Sequence, residues 1–455
     1  MSFSYRLSAA LIAATIAIVQ PEFAVAPLSA QQVEEIERNQ CNPSGEIDFN
    51  EAIRLNPNDA EAYNNRGAVR LQQGDIEGAI ADYNEAIRLN PSYADAYYNR
   101  ANVRYDLGDI EGAIADYNEV IRLNPSYADA YYNRANARSD QGDIEGEIAD
   151  YNEAIRLNPS YADAYNNRAN ARSDQGDIEG AIADLNEAIR LEPNDAEAYY
   201  KRAFLRYDRG DKPGAIADYN EAIRLDPSDA AAYINRGVAR SDQGDKQGAI
   251  ADYNEAISLD PSDADVYNNR ANARSDQGDK QGAIADYNEA IRLDPNHANA
   301  YNNRGLLRDQ LGDKQGALAD FNEAIRLEPN DAEAYYNRAH PRSDQGDIQG
   351  AIADYNEAIR LNPKYTYAYF NRARLRDELG DKQGALADFN EAIRLDPNDA
   401  DAYYNRALVR KEQRDIQAAI NDFKKASELY QQQGNIDSYR DAQNAIRELQ
   451  RELEV

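Results

Sequence analysis

The sequence predicts an all-α solenoid of about eleven helix-turn-helix units, and three observations carry that expectation. Prolines recur every 34 residues, at Pro57, Pro91, Pro125 and onward to Pro397, eleven in all. Between successive prolines, two stretches place apolar residues at three- and four-residue spacings, the pattern of a helix with one buried face. Small residues return at one fixed place, Gly67, Ala101, Ala135 and so on to Ala407, where two helices must approach closely. Self-similarity at this period marks a repeat array in which no repeat hides its apolar face alone, so neighbours stack to make a core.

The first element in the chain differs in kind. Arg6 precedes an uncharged apolar run of thirteen residues from Leu7 to Val19, and small residues follow at Ala24, Ala26 and Ala30. Residues 1–30 are therefore expected to be a secretory signal peptide, cut after Ala30 because Pro27 disfavours cutting after Ala26. Thirteen apolar residues are too few to span a bilayer comfortably, so no membrane span is expected in the mature chain. The exported protein would sit in the periplasm, on the envelope or outside the cell. Residues 31–59 form an N-terminal segment in which Ser44 to Pro57 read as a lone second helix. This degenerate half repeat is aligned one residue off, through Ile47, Phe49, Ala52, Ile53 and Leu55.

Eleven tandem repeats fill residues 60–433, read as one elongated domain. In the type repeat the first helix runs from Ala60 to Gln73 and ends at Gly74, a residue free to take the left-handed conformation. Asp75 caps the second helix, which continues to Leu89 and is stopped by Pro91. Asp or Ser just after most of the prolines is expected to cap the next first helix. Two departures stand out. Glu147 takes a place held elsewhere by alanine. Pro341 falls inside a first helix, where it costs about 3 kcal/mol and should leave a local defect. Residues 434–455 form a capping helix whose apolar face is Ile436, Tyr439, Ala442, Ile446, Leu449 and Leu453, with Arg440, Arg447, Glu448 and Arg451 left to water. Such a helix covers the exposed end that a solenoid otherwise presents.

Composition narrows the chemistry. The net charge is -31, and the mature chain carries all of it because Arg6 and Glu22 cancel within the first 30 residues. That field repels nucleic acid and anionic lipid and favours basic or neutral partners. Cys41 is the only cysteine, which rules out an intramolecular disulfide and a cysteine-based metal cluster. His297 and His340 are the only histidines, at unrelated places in their repeats. Asp-rich turns such as Asp140, Gly142, Asp143 and Glu145 lack the ligand spacing of an EF-hand loop and read as helix caps. Nucleophile triads, Gly-rich phosphate loops and metal-ligand clusters are absent, so no catalytic residue, cofactor or metal is expected. An enzyme built on paired carboxylates would need a pocket that sets two acids apart, and near-identical repeats offer none. A protein-binding scaffold is the expected class, with a self-assembling structural array as the alternative.

Tyr63, Gly67, Gly74-Asp75, Ala79, Tyr83, Ala86 and Pro91 resemble the tetratricopeptide repeat (TPR) in residue type, spacing and length, and the resemblance covers about four fifths of the chain. Asn-Arg-Gly or Asn-Arg-Ala after the first tyrosine is similar to a bacterial form of the repeat. The resemblance implies a right-handed superhelix of paired helices, whose concave groove, lined by first helices, binds peptides or proteins. This chain departs from the family at Arg66 and Arg70, where leucine and tyrosine are usual. In the family, acidic chaperone tails are held by groove lysines and arginines; this chain has mostly acids there, which disfavours that partnership.

Arg66 and Arg70, repeated out to Arg406 and Arg410, lie one turn apart beside the tyrosine and small-residue stripe. Each second helix supplies an aspartate, from Asp82 to Asp422, and ten supply a glutamate three residues later, beginning at Glu85. The expected arrangement is a ladder of Arg to Asp or Glu pairs tying first helices to second helices. The competing reading offers the arginines to a carboxylate or phosphate ligand. Candidate partner-binding residues are those expected to face the groove: the acids Asp106, Asp140, Asp174, Asp208, Asp242 and Asp276, the amides Asn102, Asn136, Asn170 and Asn272, and the ring of Tyr98. The aromatic trio Tyr200, Phe204 and Tyr207 is a candidate hot spot whose alternative role is packing between repeats. Asn65 and its equivalents, interrupted only at Lys201, could grip a ligand backbone or bridge neighbouring repeats.

Overall fold

The structure, a computed structural model, describes residues 49–453, so the expected signal peptide, Cys41 and the start of the half repeat lie outside the described residues. Among the described residues there are 24 helices and no strand. A short helix α1 (Phe49–Leu55) comes first. First helices of the repeats are α2 (Ala60–Gln72), α4 (Ala94–Asp106), α6 (Ala128–Asp140), α8 (Ala162–Asp174), α10 (Ala196–Asp208), α12 (Ala230–Gln243), α14 (Ala264–Gln277), α16 (Ala298–Gln310), α18 (Ala332–Asp344), α20 (Thr366–Glu378) and α22 (Ala400–Glu412). Second helices are α3 (Ile76–Leu89), α5 (Ile110–Leu123), α7 (Ile144–Leu157), α9 (Ile178–Leu191), α11 (Lys212–Leu225), α13 (Lys246–Leu259), α15 (Lys280–Leu293), α17 (Lys314–Leu327), α19 (Ile348–Leu361), α21 (Lys382–Leu395) and α23 (Ile416–Gln432). Helix α24 (Ile436–Leu453) closes the chain.

Helix boundaries follow from local chemistry. Gly74 has φ 81°, a conformation that L side chains resist, and ten more glycines share it. Arg414 holds the same place in the last repeat at φ 60°, the one non-glycine residue among those described to do so. Asp75 and its equivalents accept a hydrogen bond from the backbone N–H three residues on, as at Gly78 (3.0 Å). First helices meet the expectation in part: an aspartate caps six of them, and a serine caps none. The capping residue is two places after the proline, so Asp59 accepts from Glu61 and Ala62 N–H, whereas Ser92 is not a cap at all. Tyr93, Tyr127, Tyr161, His297 and Tyr365 occupy the cap place without a side-chain bond. Three of these tyrosines pack on rings of the preceding first helix instead: Tyr127 stacks on Tyr98 (4.9 Å between ring centres), Tyr161 stacks on Tyr132 (4.7 Å), and Tyr365 lies tilted on Tyr336 (4.8 Å). Aromatic contact of this kind contributes about as much as the cap it replaces.

Two further expectations are corrected. Helix α18 runs unbroken through Pro341. The ring is buried in the place where other repeats have Val69, Val103 or Leu205, so it fills the core while giving up one backbone bond near the helix end. Helix α1 is in full 34-residue register with the other second helices. Arg66 Nη1 donates to Asn50 Oδ1 (3.0 Å) as Arg100 donates to Asn84 (2.6 Å), and Arg54 pairs with Glu51 as Arg88 does with Glu85.

The chain divides into two compact units, one ending at Arg209 and the next beginning at Gly210. An array with only neighbour contacts has no central core to oppose such a division. Inside each unit, consecutive helices pack as hairpins and first helices also pack on one another: α2 on α4 and α4 on α6 in the first unit, and α12 on α14, α14 on α16, α16 on α18 and α20 on α22 in the second. First helices therefore gather on one side. The core between them and the second helices is small side chains wedged against rings. Gly67 shows why: a Cβ there would lie 2.8 Å from the Tyr83 ring, and Tyr83 is almost fully buried. At the far end Ala442, Ile446 and Leu449 of α24 are buried against α23, while Arg440, Arg447, Glu448 and Arg451 are exposed, as are Ile436 and Leu453.

Candidate functional site

The arginine pair is structural. Arg66 grips Asp82 with two bonds, Nε to Oδ2 (2.8 Å) and Nη2 to Oδ1 (2.7 Å), and Arg70 Nη1 donates to the same carboxylate (2.8 Å). Asp82 is 3% exposed, so this shared aspartate is a buried charge with two cations on it. The Arg66 guanidinium also lies 5.3 Å from the Tyr63 ring centre. Its remaining nitrogen crosses to the preceding second helix, through Asn50 here and Asn84, Asn118 or Asn152 in the following repeats. One side chain thus joins three helices. Glu85 takes no part, contrary to the expected ladder: it pairs with Arg88 of its own helix (2.6 Å), and both are substantially exposed. The arginines are held by the fold and are not presented to a ligand.

The asparagine row that starts at Asn65 bridges repeats. Asn133 Nδ2 donates to the Tyr98 hydroxyl (2.9 Å) and to Asn102 Oδ1 (3.1 Å), and Asn99 donates to Asn64 (3.0 Å). Lys201 breaks the row. It turns to Glu197 (2.8 Å), and Asn166 Oδ1 is left buried without a donor. Of the candidate amides, Asn102, Asn136 and Asn272 accept from Tyr117, Tyr151 and Tyr287 hydroxyls at 2.7, 2.5 and 2.6 Å, so their oxygens are committed to the core. Asn170 is exposed, and its repeat has Leu185 where those of Asn102, Asn136 and Asn272 have the tyrosine. Tyr98 is only 5% exposed and its ring is covered by Tyr127, so it belongs to the interior and not to a groove surface. Tyr200, Phe204 and Tyr207 are half-buried, and Phe204 packs against the cluster of Ala181, Leu185 and Leu205.

The acids at the ends of the first helices fall into two groups, a distinction the sequence reading missed. Lys212, Lys246, Lys314 and Lys382 open second helices and reach across the joint to the acid thirty places later. Lys246 meets Asp276 at 2.7 Å, Lys314 meets Asp344 at 2.5 Å, Lys212 lies 3.6 Å from Asp242, and Lys382 pairs with Glu412. In the first four repeats the same place is Ile76, Ile110, Ile144 or Ile178. Asp106, Asp140, Asp174 and Asp208 are exposed, with no lysine opposite them. Tyr105 donates its hydroxyl to Asp140, and partial burial pushes the Asp106 carboxyl up from its ordinary value. The signal was present in the sequence as a choice of isoleucine or lysine at one place, legible only once the pairing across the joint is known.

Among the described residues, no group of three or more His, Cys, Asp or Glu is arranged to hold a metal ion, and no helix is long and apolar enough to cross a membrane. Models of the TPR repeat match six overlapping stretches from 67–108 to 239–278, and further tetratricopeptide repeat models match 272–340, 336–400, 49–81 and 389–421. No curated protein matches the chain. Among solved structures, yeast Tom70 is 19% identical, with 85% of this chain and 95% of that one aligned at a TM-score of 0.41. A tetratricopeptide repeat protein from Parabacteroides merdae is 25% identical over 55% of this chain and 98% of its own, at 0.44. A chain of the APC/C heterotetramer Cut9-Hcn1 is 15% identical over 88% and 92%, also at 0.44. Models of this one repeat follow each other from residue 49 to residue 421, and the chain belongs to the tetratricopeptide repeat family.

Proposed function

We propose that the protein is a non-catalytic scaffold, exported in bacteria and built from the Asn-Arg-Gly/Ala form of the repeat, which holds a basic or neutral protein or extended peptide against its first helices. One observation carries this reading: Asp106, Asp140, Asp174 and Asp208 stand exposed at equivalent places on successive first helices, without the lysines that pair with Asp242, Asp276, Asp344 and Glu412. A row of like charge on a preformed surface draws an oppositely charged chain by long-range field, and its strength falls with salt. Fluorescence anisotropy with a labelled lysine- and arginine-rich peptide tests it. Binding is expected at low salt, weakening as salt rises, and a variant with Asp106, Asp140 and Asp174 changed to asparagine is expected to bind at least about tenfold more weakly. Equal affinity for the variant, or binding indifferent to salt, refutes the acidic row. Amino-terminal sequencing of the protein recovered from outside the cytoplasm tests export, with Gln31 as the expected first residue.

Self-assembly is the second reading. It is favoured by α1, a second helix in full register, whose Leu55 is 66% exposed. Concentration-dependent sedimentation of the pure protein supports it, and a single monomeric species at all concentrations removes it.

A further inference from the structure

Glu147 lies in the first turn of α7, in the place where the other ten repeats carry an alanine of 0% exposure, and it is itself only 5% exposed. Helix α7 packs against α6 on one side and α8 on the other, so the carboxyl sits at the joint between two repeats. What surrounds it is acidic. Ser139 of α6 hydrogen-bonds to it; Asp140 at the end of α6, Asp143 in the turn and Asp174 at the end of α8 each bring a negative charge, and the Tyr151 hydroxyl of its own helix is close enough to couple with it. The nearby cations are already engaged: Arg138 with Asp150 (2.9 Å) and Asp143 (3.7 Å), Arg172 with Asp184 (2.9 Å) and Asp177 (3.7 Å). Ile144, which opens this helix, takes the place where a lysine would otherwise reach Asp174.

We propose that Glu147 makes the joint between the third and fourth repeats a pH-responsive element, packed when its carboxyl is neutral and loosened when it ionises. A carboxylate here loses its water and gains three acidic neighbours without a cation, and both effects favour the protonated form. Desolvation above all, opposed by Ser139 and reinforced by Asp174, Asp140 and Asp143, pushes the carboxyl up to about 7. The folded form therefore holds the proton more tightly than the unfolded chain does. Stability from this group is complete in acid, declines as pH rises from the ordinary glutamate range to about 7, and is level above that. The transition falls in the range where a compartment's acidity changes, which no other repeat can sense in this way because none has a carboxyl at that place.

Hydrogen exchange of the full chain, followed by mass spectrometry peptide by peptide, tests the proposal with wild type, Glu147→Ala and Glu147→Gln. Alanine at this place is what the ten other repeats fold with, so the first variant is expected to be intact. Relative to Glu147→Ala at the same pH, local opening of residues 128–174 in wild type is expected to rise about 30-fold between about pH 5.5 and about pH 8, with the other repeats unchanged. Glu147→Gln keeps the size and polarity without the charge and is expected to show no such rise. A pH-independent ratio of wild type to Glu147→Ala overturns the proposal, as does a Glu147→Gln profile that follows wild type. Carbon-13 NMR of the side-chain carboxyl gives an independent reading. A midpoint near neutrality upholds the proposal, and one in the ordinary glutamate range overturns it.

Discussion

Asp252 is the place to ask how much the buried charge network holds. It is 2% exposed, and accepts from Arg236 through Nε (3.0 Å) and Nη2 (2.6 Å) and from Arg240 through Nη1 (2.9 Å). Removing it by Asp252→Ala strands two guanidinium groups whose side chains are 13% and 24% exposed. Uncompensated buried charge of this kind costs about 3–5 kcal/mol. Arg236→Ala also removes the bond to Asn220 (2.8 Å) and the contact with the Tyr233 ring (5.4 Å), but leaves Asp252 partnered by Arg240, so the loss is smaller, about 2–3 kcal/mol. Arg240→Ala leaves the two-pronged grip of Arg236 in place and costs about 1–2 kcal/mol. The control is Glu289→Ala, which breaks an exposed pair with Arg292 (2.6 Å) that water screens, and it is expected to leave the opening of its own repeat close to wild type. Repeat arrays open locally, so the assay is native-state hydrogen exchange of residues 230–259, and of residues 264–293 for the control, and not a single melting temperature. The reasoning fails if Asp252→Ala is no worse than Glu289→Ala, or if Arg240→Ala exceeds Arg236→Ala.

Arg414→Gly is expected to raise stability by about 0.5–1 kcal/mol, read as a higher urea midpoint for the last repeat, because a left-handed residue with a side chain is strained and ten equivalent turns use glycine. Tyr287→Phe deletes the 2.6 Å bond to Asn272 and is expected to cost about 1 kcal/mol by chemical denaturation, whereas Phe321 shows that the ring alone packs well in that place. Lys246→Ile with Lys314→Ile copies the first four repeats, releases Asp276 and Asp344, and is expected to strengthen binding of a lysine-rich peptide and steepen its salt dependence in the same anisotropy assay.

The repeat period, the hairpin and the glycine and aspartate signals at the turns were legible because each depends on residues close together in the chain. Gly74 and Asp75 act within one turn of backbone. Placement across joints was not. Arg66 faces both Asp82 and Glu85 in the sequence, and only the direction of the second helix decides that the aspartate points inward while the glutamate folds back to Arg88. Ser92 and Tyr93 are adjacent, and the serine looks like the better cap; the helix begins one residue later than that choice requires, and the tyrosine takes the place for its ring. Pro341 reads as a defect by local propensity, yet burial of its ring reverses the outcome. The candidate site suffered most. Tyr98 and the oxygens of Asn102 and Asn136 carry surface chemistry in the sequence, but the neighbouring repeat uses them up, through residues 31 to 35 places away.

Because Asn50 receives Arg66 as Asn84 receives Arg100, each joint is made from parts lying a constant distance apart in the chain. Excision or duplication of any 34-residue cassette would therefore bring together ends that already fit, with every guanidinium finding an aspartate and an amide of the same geometry. Arrays with more or fewer repeats would keep this same arginine, aspartate and asparagine joint, so length could change without redesigning that contact.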